Sequence, residues 1–162
     1  ADDVIAKYVE AIGGRDKLDS MKSVRMSGKI SQGGGMEFPV VMELKRPNKL
    51  RMEFTVQGMT GVQGYDGEDG WMIMPFMGKP DPEKMPPDMA TQIKDQADMD
   101  GPLVDYKKKG HQVELVGEDE IEGTPTYKLK VVKEDGNVEH YHIDKDHFLA
   151  IAIEGKRKMM IA

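Results

Sequence analysis

The strongest constraint on this fold is a set of segments in which apolar and polar residues alternate one by one. Residues 24–31, 36–45 and 50–57 each follow this pattern. A period of two is typical of a strand that buries one face and exposes the other. Turn-forming residues at 33–35 and 47–48 separate the three segments. The sequence therefore predicts consecutive antiparallel strands that share one apolar face.

The same pattern continues in shorter pieces, which bring the expected total to nine or ten strands. Asp66 and Gly67 form a dipeptide suited to a tight hairpin turn. Helical spacing occurs only at the start of the chain and in its middle. We therefore expect an α+β fold in which an antiparallel sheet curls toward a barrel. Because no linker interrupts the pattern, residues 1–162 are predicted to form a single domain.

The middle of the chain changes character after Phe76. Five prolines between positions 75 and 87 predict a connector that cannot pair as a strand. A helix is expected to start near Pro87. Its apolar stripe would contain Met85, Met89, Ile93 and Ala97, which recur every four residues. This helix is the predicted cover of the sheet.

Composition excludes several classes of function. The chain has 29 acidic and 23 basic residues and a net charge of -6, which argues against nucleic acid as a partner. No apolar run reaches the roughly 18 residues of a membrane span. No signal peptide is present in the given chain, which fits a processed secreted protein. The 14 methionines suggest an adaptable apolar surface, with plain core filling as the alternative.

No pattern of catalytic residues is found. There is no nucleophile elbow, phosphate loop or cysteine, and the acidic clusters are expected in turns or termini. His140 and His142 share a strand face and could hold a metal, but a solvated outer face explains them better. We therefore expect no catalytic residue, no metal site and no cofactor.

Two further patterns have a functional and an ordinary interpretation. The pairs Met72 with Met74 and Met159 with Met160 could bind Cu(I), but their spread along apolar strand faces favours core packing. The basic runs at 107–109 and 156–158 could contact anionic lipid or an acidic partner, although solvated loops explain them more simply.

A resemblance to a known family rests on short motifs between Lys45 and Phe76. They are the Lys45-Arg46-Pro47-Asn48 turn, the following strand, Asp66-Gly67, Gly70-Trp71 and Pro75-Phe76. In these motifs the chain resembles the LolA-like family, periplasmic carriers that move lipoproteins between bacterial membranes. The resemblance implies an incomplete, half-open β-barrel whose N-terminal and central lid helices cover an apolar cavity for acyl chains. It also implies a periplasmic location and, as partners, an inner-membrane donor and an outer-membrane acceptor.

The sequence departs from the family pattern at two points. Family members have further strands after the one that ends near Ile161, so this chain is either truncated or a more open barrel. Leu50 and Met52 occupy the positions of the family's cavity-facing aromatic pair. This replacement favours an apolar carrier over a carrier restricted to lipoproteins. We expect a monomer that binds lipid or lipoprotein acyl chains. The predicted cavity residues are Met26, Met42, Leu44, Leu50, Met52, Phe54, Val56, Trp71, Met89 and Ile93, with a sheet anchor as the alternative role of Trp71.

Arg46 falls on the family's arginine that is tied to lid closure. We expect it to act as a lid latch by binding a carbonyl or carboxylate of the lid or a loop, with Asp88, Asp95 and Asp98 as candidate acceptors. The alternative is an ordinary solvated arginine at the end of a hairpin. Asp100 is predicted to cap a short helical turn at 103–106.

The leading hypothesis is a non-enzymatic periplasmic carrier of acyl chains. Two other classes of function remain open. One is a periplasmic regulatory domain that senses lipids or lipoproteins and binds a membrane signalling protein. The other is an enzyme that uses the same half-barrel for an apolar aromatic substrate.

Overall fold

The computed structural model describes residues 1–32, 35–155 and 159–160. This part of the chain contains the helices α1 (Asp2–Ala11), α2 (Gly14–Ser20) and α3 (Pro87–Gln96), and a 3₁₀ turn at Pro75–Met77. The strands are β1 (Ser23–Gln32), β2 (Met36–Lys45), β3 (Lys49–Val56), β4 (Met59–Tyr65), β5 (Gly70–Met74), β6 (Lys79–Lys84), β7 (Gln112–Ile121), β8 (Thr124–Val132), β9 (Val138–Asp144), β10 (Ala150–Glu154) and β11 (Met159–Met160).

The described strands form two antiparallel sheets rather than the one curled sheet that the sequence suggested. The first has the order β1-β2-β3-β4-β5-β6 and the second the order β11-β10-β9-β8-β7. Each strand pairs with its neighbour in sequence, which confirms the expected α+β class with antiparallel sheets. The chain divides into two compact units, one of residues 21–101 and one of residues 1–20 with 102–162.

The unit of residues 21–101 consists of the first sheet and α3. Its strands begin and end close to the positions that alternation predicted. One prediction is wrong, because the proline-rich residues 79–84 form β6 and pair with β5. Pro80 and Pro82 are tolerated since β6 is the edge strand of the sheet and its pairing with β5 is irregular.

The other unit consists of the second sheet with α1 and α2. Its core joins Val4 and Ile5 of α1 to strand residues such as Leu129 and Ile143. Asp2 does not cap α1. It accepts hydrogen bonds from Tyr106 (2.5 Å) and Lys107 (3.0 Å), and the Tyr106 hydroxyl, followed by Lys107, lowers the pKa of Asp2.

Two further predictions in this unit are wrong. Residues 103–106 form successive turns instead of a helical turn, and Leu103 and Val104 are buried. The acidic run at 118–120 lies within β7 instead of in a turn. Strand β7 extends to Ile121, and the chain reverses at residues 122–123 before β8.

His142 also differs from its prediction, because its side chain is fully buried instead of solvated. The imidazole Nε2 lies 3.4 Å from a carboxylate oxygen of Glu154, and Nδ1 lies 3.5 Å from the Thr126 hydroxyl. Lys128, the cross-strand partner of His142, pairs with Glu154 at 3.3 Å and with Asp119 at 3.4 Å. Alternation assigned this face to solvent because all of these residues are polar, although they pack against one another.

Candidate functional site

The two faces of the first sheet differ sharply in chemistry. The strand register aligns Met26, Met42, Met52 and Met72 across β1, β2, β3 and β5, with Gln63 of β4 between the last two. Because side chains alternate along a strand, the residues two positions away on each strand lie on the same face. We call this the apolar face. Beyond the methionine row it carries Val24, Gly28, Ile30, Met36, Phe38, Val40, Leu44, Leu50, Phe54, Val56, Met59, Gly61, Tyr65, Gly70 and Met74.

Helix α3 covers one end of the apolar face. Ile93 and Ala97 of the predicted helical stripe are buried there together with Met85. They pack against Leu44 and Leu50, so the stripe and the sheet form one core. The prediction of a helix with one apolar side near Pro87 is therefore confirmed.

The other end of the apolar face is exposed. Met26 keeps 47% and Met36 keeps 61% of its surface accessible, and Ile30 and Met59 are also exposed. Exposed large apolar side chains that lie together commonly mark a binding site. Here the exposed apolar side chains lie next to the packed core, and half-buried Met42 lies between the two.

Three aromatic rings run across this surface. The ring of Phe54 lies 6.4 Å from that of Phe38 and 5.7 Å, edge to face, from that of Phe76. Gly61 makes room for two of them, because a Cβ atom there would meet Phe76 at 2.8 Å and Phe54 at 2.9 Å. The rings of Phe54 and Phe76 therefore lie directly on the backbone of β4.

The structure brings most of the predicted cavity residues together. Val56 is half-buried on the apolar face, and Met26 is on the same face near the sheet edge. Trp71 lies on the opposite face, because it precedes Met72 on β5, and it is 44% exposed. The predicted residues that share one packed cluster are Met42, Leu44, Leu50, Met52, Phe54, Met89 and Ile93.

Sequence reasoning missed several members of the same cluster. Tyr65, Met72, Met74 and Phe76 pack with it. The Asp66-Gly67 hairpin could have identified the first three, since it fixes the pairing of β4 with β5 and hence their inward positions. An enclosed cavity stays a prediction.

Arg46 makes a three-point contact at the turn between β2 and β3. Its Nε donates a hydrogen bond to the carbonyl oxygen of Met21 at 2.8 Å. Its two terminal nitrogens donate to the two carboxylate oxygens of Asp100, at 2.8 and 2.6 Å. The two side chains are 23% and 12% exposed. A paired fork of this kind is among the stronger polar contacts in proteins.

The position of Asp100 relates this contact to α3. Asp100 follows the end of α3 by four residues, and its backbone N–H donates to the carboxylate of Asp98 at 3.3 Å. The carboxylate that binds the Arg46 fork is thus Asp100, which the sequence suggested as a helix cap. Asp88, Asp95 and Asp98 were the acceptors expected from the sequence.

Two of the resemblance motifs, the turn at residues 45–48 and Asp66-Gly67, contact each other. The Tyr65 hydroxyl donates to the carbonyl of Gly67 at 3.1 Å, and the Asn48 amide donates to the same carbonyl at 3.5 Å. Asp66 accepts from the backbone N–H groups of Glu68 and Asp69, and these bonds lower the pKa of Asp66. The motifs therefore hold two hairpin ends together.

Within the residues that the structure describes, no cluster of histidine and acidic side chains fits a metal ion. Met72 and Met74 are buried in the apolar core, while the side chains of Met159 and Met160 and the basic run at 156–158 lie outside the described residues. Among the described helices, none is both long enough and apolar enough to cross a bilayer.

Comparison with known proteins identifies the fold. Neither a family model nor a curated protein sequence matches this chain. A LolA superfamily protein from Nitrosomonas europaea is similar in structure, with a TM-score of 0.54 and 14% identity over 99% of this chain and 74% of that one. A DUF1329 family protein from Desulfovibrio piger has a TM-score of 0.53 and 14% identity, over 99% and 75% of the two chains. The structural neighbours are LolA-superfamily and DUF1329 proteins, so the LolA-like fold suggested by the turn motifs is confirmed.

Proposed function

We propose that this protein is a non-enzymatic periplasmic carrier that binds the acyl chain of a lipoprotein or another lipid on the apolar face of its first sheet. The observation that carries the proposal is the exposed end of that face, where Met26, Ile30, Met36 and Met59 continue from a packed core. The LolA-like fold supports the same class of function. The acyl chain would lie along this exposed end, next to the part of the face that α3 covers.

Apolar burial supplies the binding energy in this proposal. Each buried methylene contributes about 0.8 kcal/mol, so even a partly covered chain gains several kcal/mol. Methionine side chains are flexible and polarisable, and they adapt to chains of different length and branching. At the covered end of the face, Leu50 and Met52 stand where the LolA-like family has an aromatic pair. Their flexible side chains make this end adaptable as well.

Arg46 and Asp100 form the proposed latch. Their contact joins the β2–β3 turn to the segment that follows α3. While the contact is intact, α3 stays on the covered end of the apolar face. Breaking it would let α3 move and expose Leu44 and Leu50 to cargo. Release of the cargo would then be controlled by the contact between Arg46 and Asp100. The geometry of this polar contact does not depend on which acyl chain is bound.

A titration of the delipidated protein with a fluorescent fatty acid tests the proposal. We expect saturable binding that weakens about tenfold, or about 1.4 kcal/mol, when Met26 and Met36 are both replaced by glutamate. Both residues are exposed, so the variant should fold. Ser27→Glu is the matched control, because it adds a charge next to Met26 on the opposite face. Equal binding by the wild type and the Met26→Glu, Met36→Glu variant would refute the proposal.

A further inference from the structure

The polar face of the first sheet, which lies opposite the apolar face, contains two adjoining recesses. One, of about 300 Å³, lies beside Val62, Trp71, Ile73 and Pro82. The other, of about 350 Å³, lies beside Arg25, Glu43, Lys45 and Lys49. Arg51 and Leu50 border both recesses, so the two lie next to each other along β3.

The first recess exists because one strand position has no side chain. The register aligns Arg51, Gly64, Trp71 and Lys84 in one row across β3, β4, β5 and β6. Gly64 leaves a slot between the guanidinium and the indole. A Cβ atom at Gly64 would have only the carbonyl oxygen of Leu50 nearby, at 3.9 Å. The slot is therefore open space, with an exposed indole on one side.

The second recess contains an unfavourable arrangement of charge. Lys45 and Lys49 lie directly opposite each other on β2 and β3, and both are exposed. Like charges in directly opposed positions destabilise a sheet. Within residues 1–32, 35–155 and 159–160, neither ammonium group lies within ion-pair distance of a carboxylate, although the charge of Lys49 helps to lower the pKa of Asp66. By contrast, Arg51 is paired with Glu43 (3.4 Å) and with Glu53.

We propose that this pair of recesses binds a phosphate-bearing amphiphile, with the apolar group over Gly64 beside Trp71 and the phosphate group between Lys45 and Lys49. An anion there would relieve the repulsion between the two lysines. The indole offers an apolar surface next to a polar rim, which suits the boundary between tail and headgroup. The site is separate from the apolar face and does not depend on the carrier proposal.

Trp71 is the only tryptophan in the chain, so its fluorescence reports on this recess. The test is a titration with monomeric octyl phosphate. Octyl glucoside provides the same tail without charge, and inorganic phosphate provides the charge without a tail. We expect a saturable change in Trp71 emission with octyl phosphate, and binding at least about tenfold weaker for the other two ligands.

Three variants locate the ligand. Gly64→Leu should fill the slot and abolish the response, while Lys45→Gln with Lys49→Gln should weaken binding about tenfold. Lys29→Gln is the matched control, because Lys29 is on the same face and pairs with Glu37 at 3.4 Å. Met26→Glu with Met36→Glu should leave the response unchanged, so failure of this site and failure of the carrier proposal can be told apart.

Vesicles identify the source of the anionic group. A change in Trp71 emission with phosphatidylglycerol vesicles, but not with phosphatidylcholine vesicles, would mean that the site recognises headgroups in a bilayer. A response to octyl phosphate alone would mean that it takes free amphiphiles. The proposal is overturned if neither octyl phosphate nor phosphatidylglycerol changes the emission, if octyl glucoside binds equally well, or if Gly64→Leu binds like the wild type.

Discussion

At the scale of single residues, Arg46 is held by several polar partners at once. Its guanidinium satisfies one carbonyl and both oxygens of one carboxylate in a largely desolvated position. A charge that is left alone at such a site loses both its hydrogen bonds and its hydration. The two partners should therefore behave as one unit when either is removed.

Replacing either Arg46 or Asp100 with alanine should lower the free energy of unfolding by about 2 kcal/mol. The double variant should be only slightly worse than either single variant, with a coupling free energy of about 1 kcal/mol or more. Urea denaturation of the four proteins measures this. The pair Lys29 and Glu37, whose side chains are 71% and 55% exposed, is the control and should contribute less than about 0.5 kcal/mol. Additive effects of the Arg46 and Asp100 substitutions would show that the two side chains are not coupled in the folded protein.

Gly61 gives a second test at this scale. Because a Cβ atom there would lie within 3 Å of both Phe54 and Phe76, Gly61→Ala should displace the two rings. We expect a loss of stability of about 1–3 kcal/mol, as is typical of overpacking. Gly28→Ala on the same face, where a Cβ atom meets nothing within 4 Å, should change stability little. Thermal unfolding compares the two variants, and equal midpoints would contradict the ring packing described above.

At the scale of elements, α3 is held mainly by a few buried side chains. Ile93 is buried and neighbouring Gln92 is exposed. Ile93→Ala should therefore cost about 2–4 kcal/mol, and Gln92→Ala less than about 0.5 kcal/mol. Hydrogen exchange should show faster exchange of the α3 amides in the first variant only. Unchanged exchange would mean that α3 does not depend on its contact with the apolar face.

Strands β7, β8 and β10 carry an ion cluster that should make stability depend on pH. Lys128 lowers the pKa of Glu154, and the backbone N–H of Glu120, followed by Lys128, lowers the pKa of Asp119. A carboxylate with a lowered folded-state pKa stabilises the fold above its ordinary pKa and loses that contribution as the pH falls through the folded value. This stabilisation should therefore be complete at neutral pH and disappear in acid, below the ordinary values of 4.5 and 3.8.

Lys128→Met tests that pH dependence. The variant removes the cation that Glu154 and Asp119 share, so its unfolding midpoint should fall less steeply than that of the wild type between pH 6 and 3. Other carboxylates with lowered pKa values, such as Asp66 and Asp144, remain in both proteins and cancel in the comparison. Parallel curves would show that Lys128 does not set the pKa values of these two groups.

The sequence predicts elements better than it predicts their environment. Alternation located β2 and β3 correctly because the apolar residues of each strand share one face, and the apolar stripe with a spacing of four residues located α3 for the same reason. It failed for β6, where an edge position tolerates proline, and for His142, where polar residues bury one another. A polar contact of Arg46 was expected from the resemblance, with Asp88, Asp95 and Asp98 as candidate acceptors. The acceptor of the guanidinium fork is Asp100, 54 positions away in sequence, and no local pattern indicates that pairing.

At the scale of the whole molecule, the proposed cargo site is one face of one sheet. Alternation along β1 to β5 places the methionines on one face and the charged side chains on the other, together with Trp71, so the two faces have different chemistry. A sensor domain of the same fold would bind its membrane partner whether or not lipid is present. A carrier requires the apolar face itself to hold the chain.

Photo-crosslinking with a fatty acid that carries a diazirine in its tail tests this assignment most directly. After irradiation and digestion, mass spectrometry would locate the modified residues. We expect the label on Met26, Met36, Phe38, Met52 and Met59, which lie on the apolar face, and competition by unlabelled fatty acid. Label confined to the polar face, to the second sheet or to no specific residue would contradict the account.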